Sequence, residues 1–393
     1  MRPLAQKKGG SAAYFGGNSY RTKLKNIHAF LETCLAELVE ADGQDLFLKV
    51  GTAPRIRVGG TVESLKLDRV TQEDIEAIAK SLLSPAHQFL LAKNKSVDFA
   101  FSGNGSAQRF RGNFFLQQGT HSLVIRRLWR NIPSFEELRI PPIFKKIALS
   151  QSGIILVGGT VGAGKTTTIH AMIDLMNREA KRHVITIEDP IEYLHQDDQS
   201  IINQREIGQD ADDFSSALRY VVRQSPNVVV IGEMRDVDSF NFALTASEVG
   251  RLVISTIHAK SVNQIFDRIL SFFPSQKHDV ILKHLGYHIS CLAVQKLLVK
   301  KDGKTLVPAF EILVGDAVTR DLIAQGDFEK IPQALRNGKL QGMQTMNQAL
   351  FELWKEGSIT PEEALAASER PQELEQYLKG IAIDSFSTRI LGA

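Results

Sequence analysis

Apolar residues recur at intervals of three and four through residues 24–39, where Leu24, Ile27, Phe30, Leu31, Cys34, Leu35 and Leu38 mark one face of an amphipathic helix that Asp42-Gly43 ends. The period then shortens to two. Residues 45–50 and 55–58 read as strands, separated by Gly51 and Pro54 and closed by Gly59-Gly60. Helical spacing returns over 71–83 and 85–91, and strands over 98–101, 109–115 and 122–128, with Gly103-Asn104-Gly105 as a turn between the first two of these. Strands with flanking helices predict a self-contained α+β domain over residues 24–130, followed by a Pro-containing linker over 131–142. Residues 1–23, with Arg2, Lys7 and Lys8 among Gly, Ser and Ala, read as a flexible leader.

From residue 143 the pattern changes to short apolar runs alternating with helices, the signature of an α/β core over 143–315 with a parallel sheet covered on both faces. Strands are expected at 154–157, 184–187, 228–231 and 252–256, and helices at 166–177, 213–223, 237–248 and 262–270. Residues 283–298 read as another helix, and the turn Lys300-Lys301-Asp302-Gly303-Lys304 as the way into a strand over 306–313. Helices over 316–324, 331–336, 345–356 and 361–379 form a C-terminal helical region, 316–380, and residues 381–393 a tail without clear pattern. Ligands of open α/β sheets bind beyond the carboxyl ends of the strands, so the residues directly after each strand come first in a search for chemistry.

After the first core strand comes Gly159-Thr160-Val161-Gly162-Ala163-Gly164-Lys165-Thr166, which fits G-x-x-x-x-G-K-[ST] at every specified position, with Thr167 next on the helix. The glycines let the backbone curl so that successive N–H groups face phosphate oxygens, and the helix adds its positive N-terminal end. Lys165 then reaches the outer phosphates of ATP and the Thr166 hydroxyl ligates Mg²⁺.

The other strand ends are acidic or carry histidine. Glu188-Asp189-Pro190-Ile191-Glu192-Tyr193 follows one strand, Gly232-Glu233-Met234-Arg235-Asp236 another, and Thr256-Ile257-His258-Ala259 a third. Glu233 is favoured as the base that activates water and Glu188 as support for the metal's water, although geometry within about 3 Å decides between this and the reverse. His258 is placed to hydrogen-bond the γ-phosphate and report its loss. Arg109, Arg111, Arg126, Arg127, Arg205, Arg219 and Arg223 are candidates for neutralising the transferred phosphoryl from a neighbouring subunit.

Bulk properties narrow the classes. With 393 residues, 43% of them hydrophobic and 23% charged, the chain is long enough for two cores and too apolar for disorder. A net charge of +3, from 47 basic and 44 acidic residues, gives no bulk argument for a nucleic-acid partner. No run approaches the ~18 apolar residues that span a bilayer, so any membrane association is expected through a partner and not by insertion. Cys34 and Cys291 lie far apart without metal-ligand spacing, which fits buried thiols in a reducing, cytoplasmic setting.

The P-loop, the segment from Ile187 to Glu192, the Gly232-Glu233-Met234-Arg235-Asp236 turn and Ser255-Thr256-Ile257-His258, in that order, closely resemble the PilT family of type IV pilus retraction ATPases, within the secretion ATPase superfamily. The resemblance runs from about Ile27 to Leu353 and takes in Asp45-Leu46 with Gly51, Pro54 and Gly59, then Gln204-Arg205-Glu206-Ile207-Gly208, Phe273-Pro274 and Gly342-Met343-Gln344-Thr345-Met346. It implies a PAS-like first domain, a RecA-like P-loop ATPase core and a homohexameric ring with ATP at subunit boundaries. Residues 159–166 then correspond to the Walker A loop, Glu188 to the aspartate box, Glu233 to the Walker B glutamate and His258 to the histidine box. Arg109, Arg111 and Arg126 match first-domain arginines that approach nucleotide. The implied work is rotation of the two domains, passed to an inner-membrane platform protein to withdraw pilin. Arg251 and Phe47 stand where the family commonly has histidine, and residues 316–323 match a retraction-associated stretch in part; these departures leave open a PilU-like accessory retraction ATPase or a divergent paralogue, and the resemblance admits a paralogous retraction ATPase as a partner.

Three other classes compete. A pilus-assembly or type II secretion ATPase typically carries a four-cysteine zinc element and a further N-terminal domain, and two cysteines and a short leader do not supply them. A nucleic-acid translocase needs a basic groove, which near-neutral charge does not favour. A nucleotide-binding regulator without hydrolysis would not need Lys165, Thr166, Glu188 and Glu233 together.

Overall fold

The computed structural model describes residues 17–103, 108–128 and 131–380, with the backbone alone for 17–27. The leader over residues 1–16, the turn residues Asn104 and Gly105 and the tail over 381–393 lie outside the described residues. The chain divides into two units, Met1–Arg130 and Asn131–Ala393.

The first unit is an antiparallel sheet with three helices. Its strands are β1 (Asp45–Lys49), β2 (Arg55–Val58), β3 (Thr61–Ser64), β4 (Ser96–Ser102), β5 (Arg109–Gln117) and β6 (Thr120–Arg127), in the order β3-β2-β1-β6-β5-β4. Helices α1 (Gly17–Glu40), α2 (Gln72–Leu82) and α3 (Pro85–Asn94) complete it. α2 begins where Thr71 and Asp74 close a capping box, and α3 where Ser84 caps a helix with proline in its first turn. Alternation along the strands turns Leu46, Phe99, Phe114 and Ile125 into one apolar core with Leu38 of α1 and Ile75 of α2. α1 starts at Gly17, so the last part of the expected leader is helical. β3 went unread because all four of its residues are exposed on an edge strand, where no buried face imposes alternation.

The second unit holds a seven-stranded sheet, β7 (Gly153–Gly158), β8 (His183–Glu188), β9 (Ile201–Glu206), β10 (Val228–Ile231), β11 (Leu252–Ile257), β12 (Ile289–Val299) and β13 (Leu306–Val314), in the order β13-β12-β7-β11-β10-β8-β9. All neighbours are parallel except β12 and β13. Helices α4 (Ile143–Ala148), α5 (Lys165–Glu179), α6 (Phe214–Val221), α7 (Val237–Glu248), α8 (Val262–Leu270) and α9 (His278–His288) surround it, followed by α10 (Ala317–Gln325), α11 (Ile331–Asn337), α12 (Met346–Lys355), α13 (Pro361–Ala367) and α14 (Pro371–Leu378). Alternate residues of one strand serve two cores. Ile154 and Leu156 join one cluster with Phe240 and Phe266, while Ile155 and Val157 join another with Phe144 and Met172.

Three expectations change here. The stretch read as one helix, 283–298, is the end of α9 followed by the eleven-residue strand β12. Buried on both faces, that strand has an almost continuous apolar run, which periodicity cannot tell from a helix. The proposed linker, 131–142, is part of the second unit, with Phe135 and Ile140 buried in its core. The C-terminal helices share the core of the sheet through Leu335, Leu350 and Leu374, and the helix expected over 361–379 breaks into α13 and α14 ahead of Pro371.

Candidate nucleotide site at the strand ends

β7 leaves the sheet into the loop 159–164, and α5 begins directly at Lys165. Two glycines in that loop are required by geometry. Gly159 and Gly164 have φ of +152° and +83°, and a Cβ on them would stand 2.7 Å from the Gln295 carbonyl oxygen and 2.9 Å from Gln295 Nε2. Gln295 is a buried polar residue of β12 whose Oε1 also accepts a hydrogen bond from Thr168 Oγ1 at 2.8 Å. One glutamine thus braces the loop and the first turn of its helix. The start of α5 has Gly164 as its cap and no side-chain cap, so its N–H groups are left for an anion.

Lys165 is 9% exposed, and its Nζ donates to the carbonyls of Gly159 and Thr160, both at 2.9 Å. Burial lowers its pKa from the ordinary 10.5, against the upward pull of the Glu233 charge. The lysine therefore holds the loop closed on itself. Thr166 is half-buried on the first turn of α5, and Thr167 Oγ1 shares a 3.1 Å hydrogen bond with Tyr193 Oη. Beside the loop lies a cavity of about 430 Å³, walled by residues 159–163, residues 294–298 of β12, Lys260, and Glu363 and Ala366 of α13.

Glu233 follows β10, and His258 follows β11, the neighbouring strand. His258 Nε2 is 3.0 Å from Glu233 Oε1, and Arg235 Nε donates to Glu233 Oε2 at 2.7 Å. Both strand ends are pinned, since Met234 N–H donates to the Thr256 carbonyl at 2.9 Å and Thr256 Oγ1 to the Gly232 carbonyl at 2.7 Å. Glu233 and His258, expected in separate roles, are thus in contact.

Glu188 is placed differently. It is 5% exposed, Oε1 accepts from Thr186 Oγ1 at 2.6 Å and Gln204 Nε2 at 3.0 Å, and Oε2 faces His170 Nε2 at 3.2 Å. Burial pushes its pKa up, but the His170 charge and the hydrogen bonds from His170, Thr186 and Gln204 outweigh this and hold the carboxyl below 4.5. His170 passes the chain on, with Nδ1 2.9 Å from His195 Nε2. Both Glu188 oxygens thus already have protein partners, in place of the open carboxylate expected to support the metal's water.

Nor do the described residues hold a cluster of three or more metal-ligating side chains. Mg²⁺ needs few protein ligands when phosphates and waters supply the rest, so the hydroxyl of Thr166 beside the loop fits that ion without such a cluster. Arg109, Arg111 and Arg126 lie on β5 and β6 of the first unit. Arg126 Nε binds Asp45 Oδ1 at 2.9 Å, Arg111 is 3.7 Å from Asp98, and Arg109 also has partners. His170, His195 and Gln295 escaped the sequence reading. The first two belong to no motif, and the third falls in the stretch 283–298, whose apolar run reads as a helix.

A parallel sheet with a P-loop and a glutamate-histidine pair at adjoining strand ends defines a RecA-like P-loop ATPase. Residues 104–325 match the family described as type II/IV secretion system protein. The chain is 36% identical over 348 residues to the type IV pilus ATPase PilU of Pseudomonas aeruginosa, covering 88% of this chain and 91% of that one. It is 33% identical to the type IV pilus retraction ATPase PilT of the same organism, covering 86% and 98%. A crystal structure of the pilus retraction motor PilT with bound ADP superposes with a TM-score of 0.80 at 38% identity, covering 88% of this chain and 98% of that one. The chain belongs to the type II/IV secretion system protein family, among its PilT- and PilU-type twitching-motility ATPases.

The histidine chain sets a pH dependence. Burial, then the charge of His170, pushes His195 down from 6.5 to about 3, against the pull of Glu188. The fold therefore favours the neutral ring. Below pH 6.5 the unfolded chain takes up a proton that the folded one refuses until about pH 3, so this contribution is complete above pH 6.5 and is lost as pH falls. Stability is expected to fall by up to about 1.4 kcal/mol per pH unit in that window on this account. His195→Gln should flatten that limb in denaturant titrations between pH 4 and 7; an unchanged slope would show that the ring titrates normally.

Proposed function

We propose that the chain is the ATP-hydrolysing motor of a type IV pilus retraction system. The observation that carries the reading is the Glu233 carboxylate, held between His258 and Arg235 and near enough for its charge to act on Lys165 of a P-loop whose helix start has no side-chain cap. Residues 159–167 bind the phosphates of ATP, and the neighbouring cavity takes the nucleoside. On ATP binding, Lys165 exchanges its two loop carbonyls for phosphate oxygens, and Thr166 holds Mg²⁺. That ion, once bound, neutralises phosphate charge. Glu233 orients water and accepts its proton, and His258 holds Glu233 and answers to the γ-phosphate position. Glu188 acts from within the core as support for its strand end.

The rest of the reading follows the family. Six copies form a ring in the cytoplasm at the inner membrane, with Arg109, Arg111 and Arg126 turned to a neighbour's nucleotide. Domain rotation is passed to a platform protein of the pilus machinery, alone or alongside a paralogous ATPase. Among the described residues no helix is long and apolar enough to cross a membrane, which suits attachment through that partner.

Three outcomes are expected. Glu233→Gln retains ATP binding but loses about 100-fold or more in kcat, as removal of a general base does; near-normal phosphate release would remove Glu233 from the base role. In mixtures with active protein, Lys165→Ala should depress turnover more steeply than dilution, and strictly proportional loss would count against coupled subunits. Deletion in the source cell should leave excess pili that do not retract, scored by fibre length and surface motility, whereas a cell without pili would assign the protein to assembly.

A further inference from the structure

His170 has no place in the hydrolysis just described, yet it is among the most heavily engaged side chains of the second unit. It lies on α5 downstream of Lys165 and Thr166 and is 3% exposed. Packing alone does not ask for an imidazole there, since Ile169, Ala171, Met172 and Ile173 around it on the helix are buried and apolar. Its ring stacks on His195 with centroids 5.2 Å apart and leans on Tyr193 at 4.9 Å. Its two nitrogens reach Glu188 Oε2 at 3.2 Å and His195 Nε2 at 2.9 Å.

The carboxylate that His170 holds belongs to the strand end beside the one that carries Glu233. Gly232 N–H donates to the Ile187 carbonyl at 2.8 Å, and a Cβ on Gly232 would stand 3.2 Å from that oxygen and 3.5 Å from Glu188 Cα. The end of β8 and the turn bearing Glu233 are therefore in backbone contact. A second tie runs parallel to the first, from Thr167 to Tyr193 on the segment after β8. The helix whose N-terminus meets phosphate is thus fastened by a buried imidazole to the strand end against which the base is set.

We propose that His170 is a positioning residue for Glu233. By clamping Glu188 it fixes the end of β8 against the Gly232-Glu233 turn, so that the seat of the base is registered to the P-loop helix. The proposal rests on Glu233 being the base, an assignment tested by Glu233→Gln in a chain with His170 intact.

The test is steady-state ATP turnover by the full chain in His170→Ala, His170→Gln and the double variant His170→Ala with Glu188→Gln. His170→Ala should lose about tenfold in kcat, the scale of a misplaced catalytic group, with KM for ATP within about twofold. His170→Gln, whose amide still donates toward Glu188, should recover kcat to within about threefold of the unmodified chain. Alanine also leaves the Glu188 charge unpaired in the core, which destabilises the fold. The double variant removes that charge without restoring the clamp, so it keeps the loss in kcat and carries the test should His170→Ala not fold. Normal kcat in the double variant overturns the proposal, as does an equal loss in the alanine and glutamine variants or a loss confined to KM. Turnover by Glu233→Gln would sink the assignment of the base, and it is read separately from these ratios.

Discussion

A strand buried on both faces has no room for an unsatisfied polar side chain, and the arrangement of the second unit follows from that constraint. β7, β8, β10 and β11 are buried nearly throughout, so the groups that do chemistry gather where the strands end. The polar residues that remain inside serve those ends. Thr186 donates to Glu188, and Thr256 ties the end of β11 to the Gly232 carbonyl beneath Glu233. The sheet is a ruler on which parallel register sets His258, Glu233 and Glu188 at neighbouring strand ends.

The same constraint separates two glutamates that the sequence presents as equivalents. Glu188 lies within β8, with Thr186 and Gln204 donating to one oxygen and the His170 ring facing the other. Glu233 lies beyond β10, more open, and is held by side chains that are themselves half-exposed, His258 and Arg235. A carboxylate enclosed by fixed donors is a structural charge, whereas one at the rim can exchange partners for water and substrate. Position relative to the strand's last hydrogen bond decides which is which.

This difference marks the limit of what could be read from residue order. The P-loop, the glutamates and His258 were legible because each motif follows an apolar run, and chemistry beyond a strand end is a local signal. The division near residue 130 was legible as a change of period. β12 was not, because a strand covered on both sides shows no alternation, and with it went Gln295, the residue that braces the loop. His170 and His195 were silent for another reason. They meet across 25 residues of chain, and nothing in either neighbourhood announces the other. The supposed linker shows that prolines mark irregular backbone without marking exposure, since Phe135 and Ile140 bury their side chains between them.

Recovering β12 also changes what the C-terminal helices are. The strand pairs with β7 on one edge and with β13 on the other, and beyond its pairing with Gly158 it continues past the P-loop. There Lys296 Nζ donates to the Ala367 carbonyl at 2.8 Å, and the backbone N–H of Val299 donates to Glu363 Oε1 at 3.1 Å. α13 is therefore fastened to the strand that braces the phosphate loop. The cavity between them has the loop for one wall and α13 for another. The helical region is for this reason a wall of the cavity beside the P-loop, built on a strand that the pattern of apolar residues concealed.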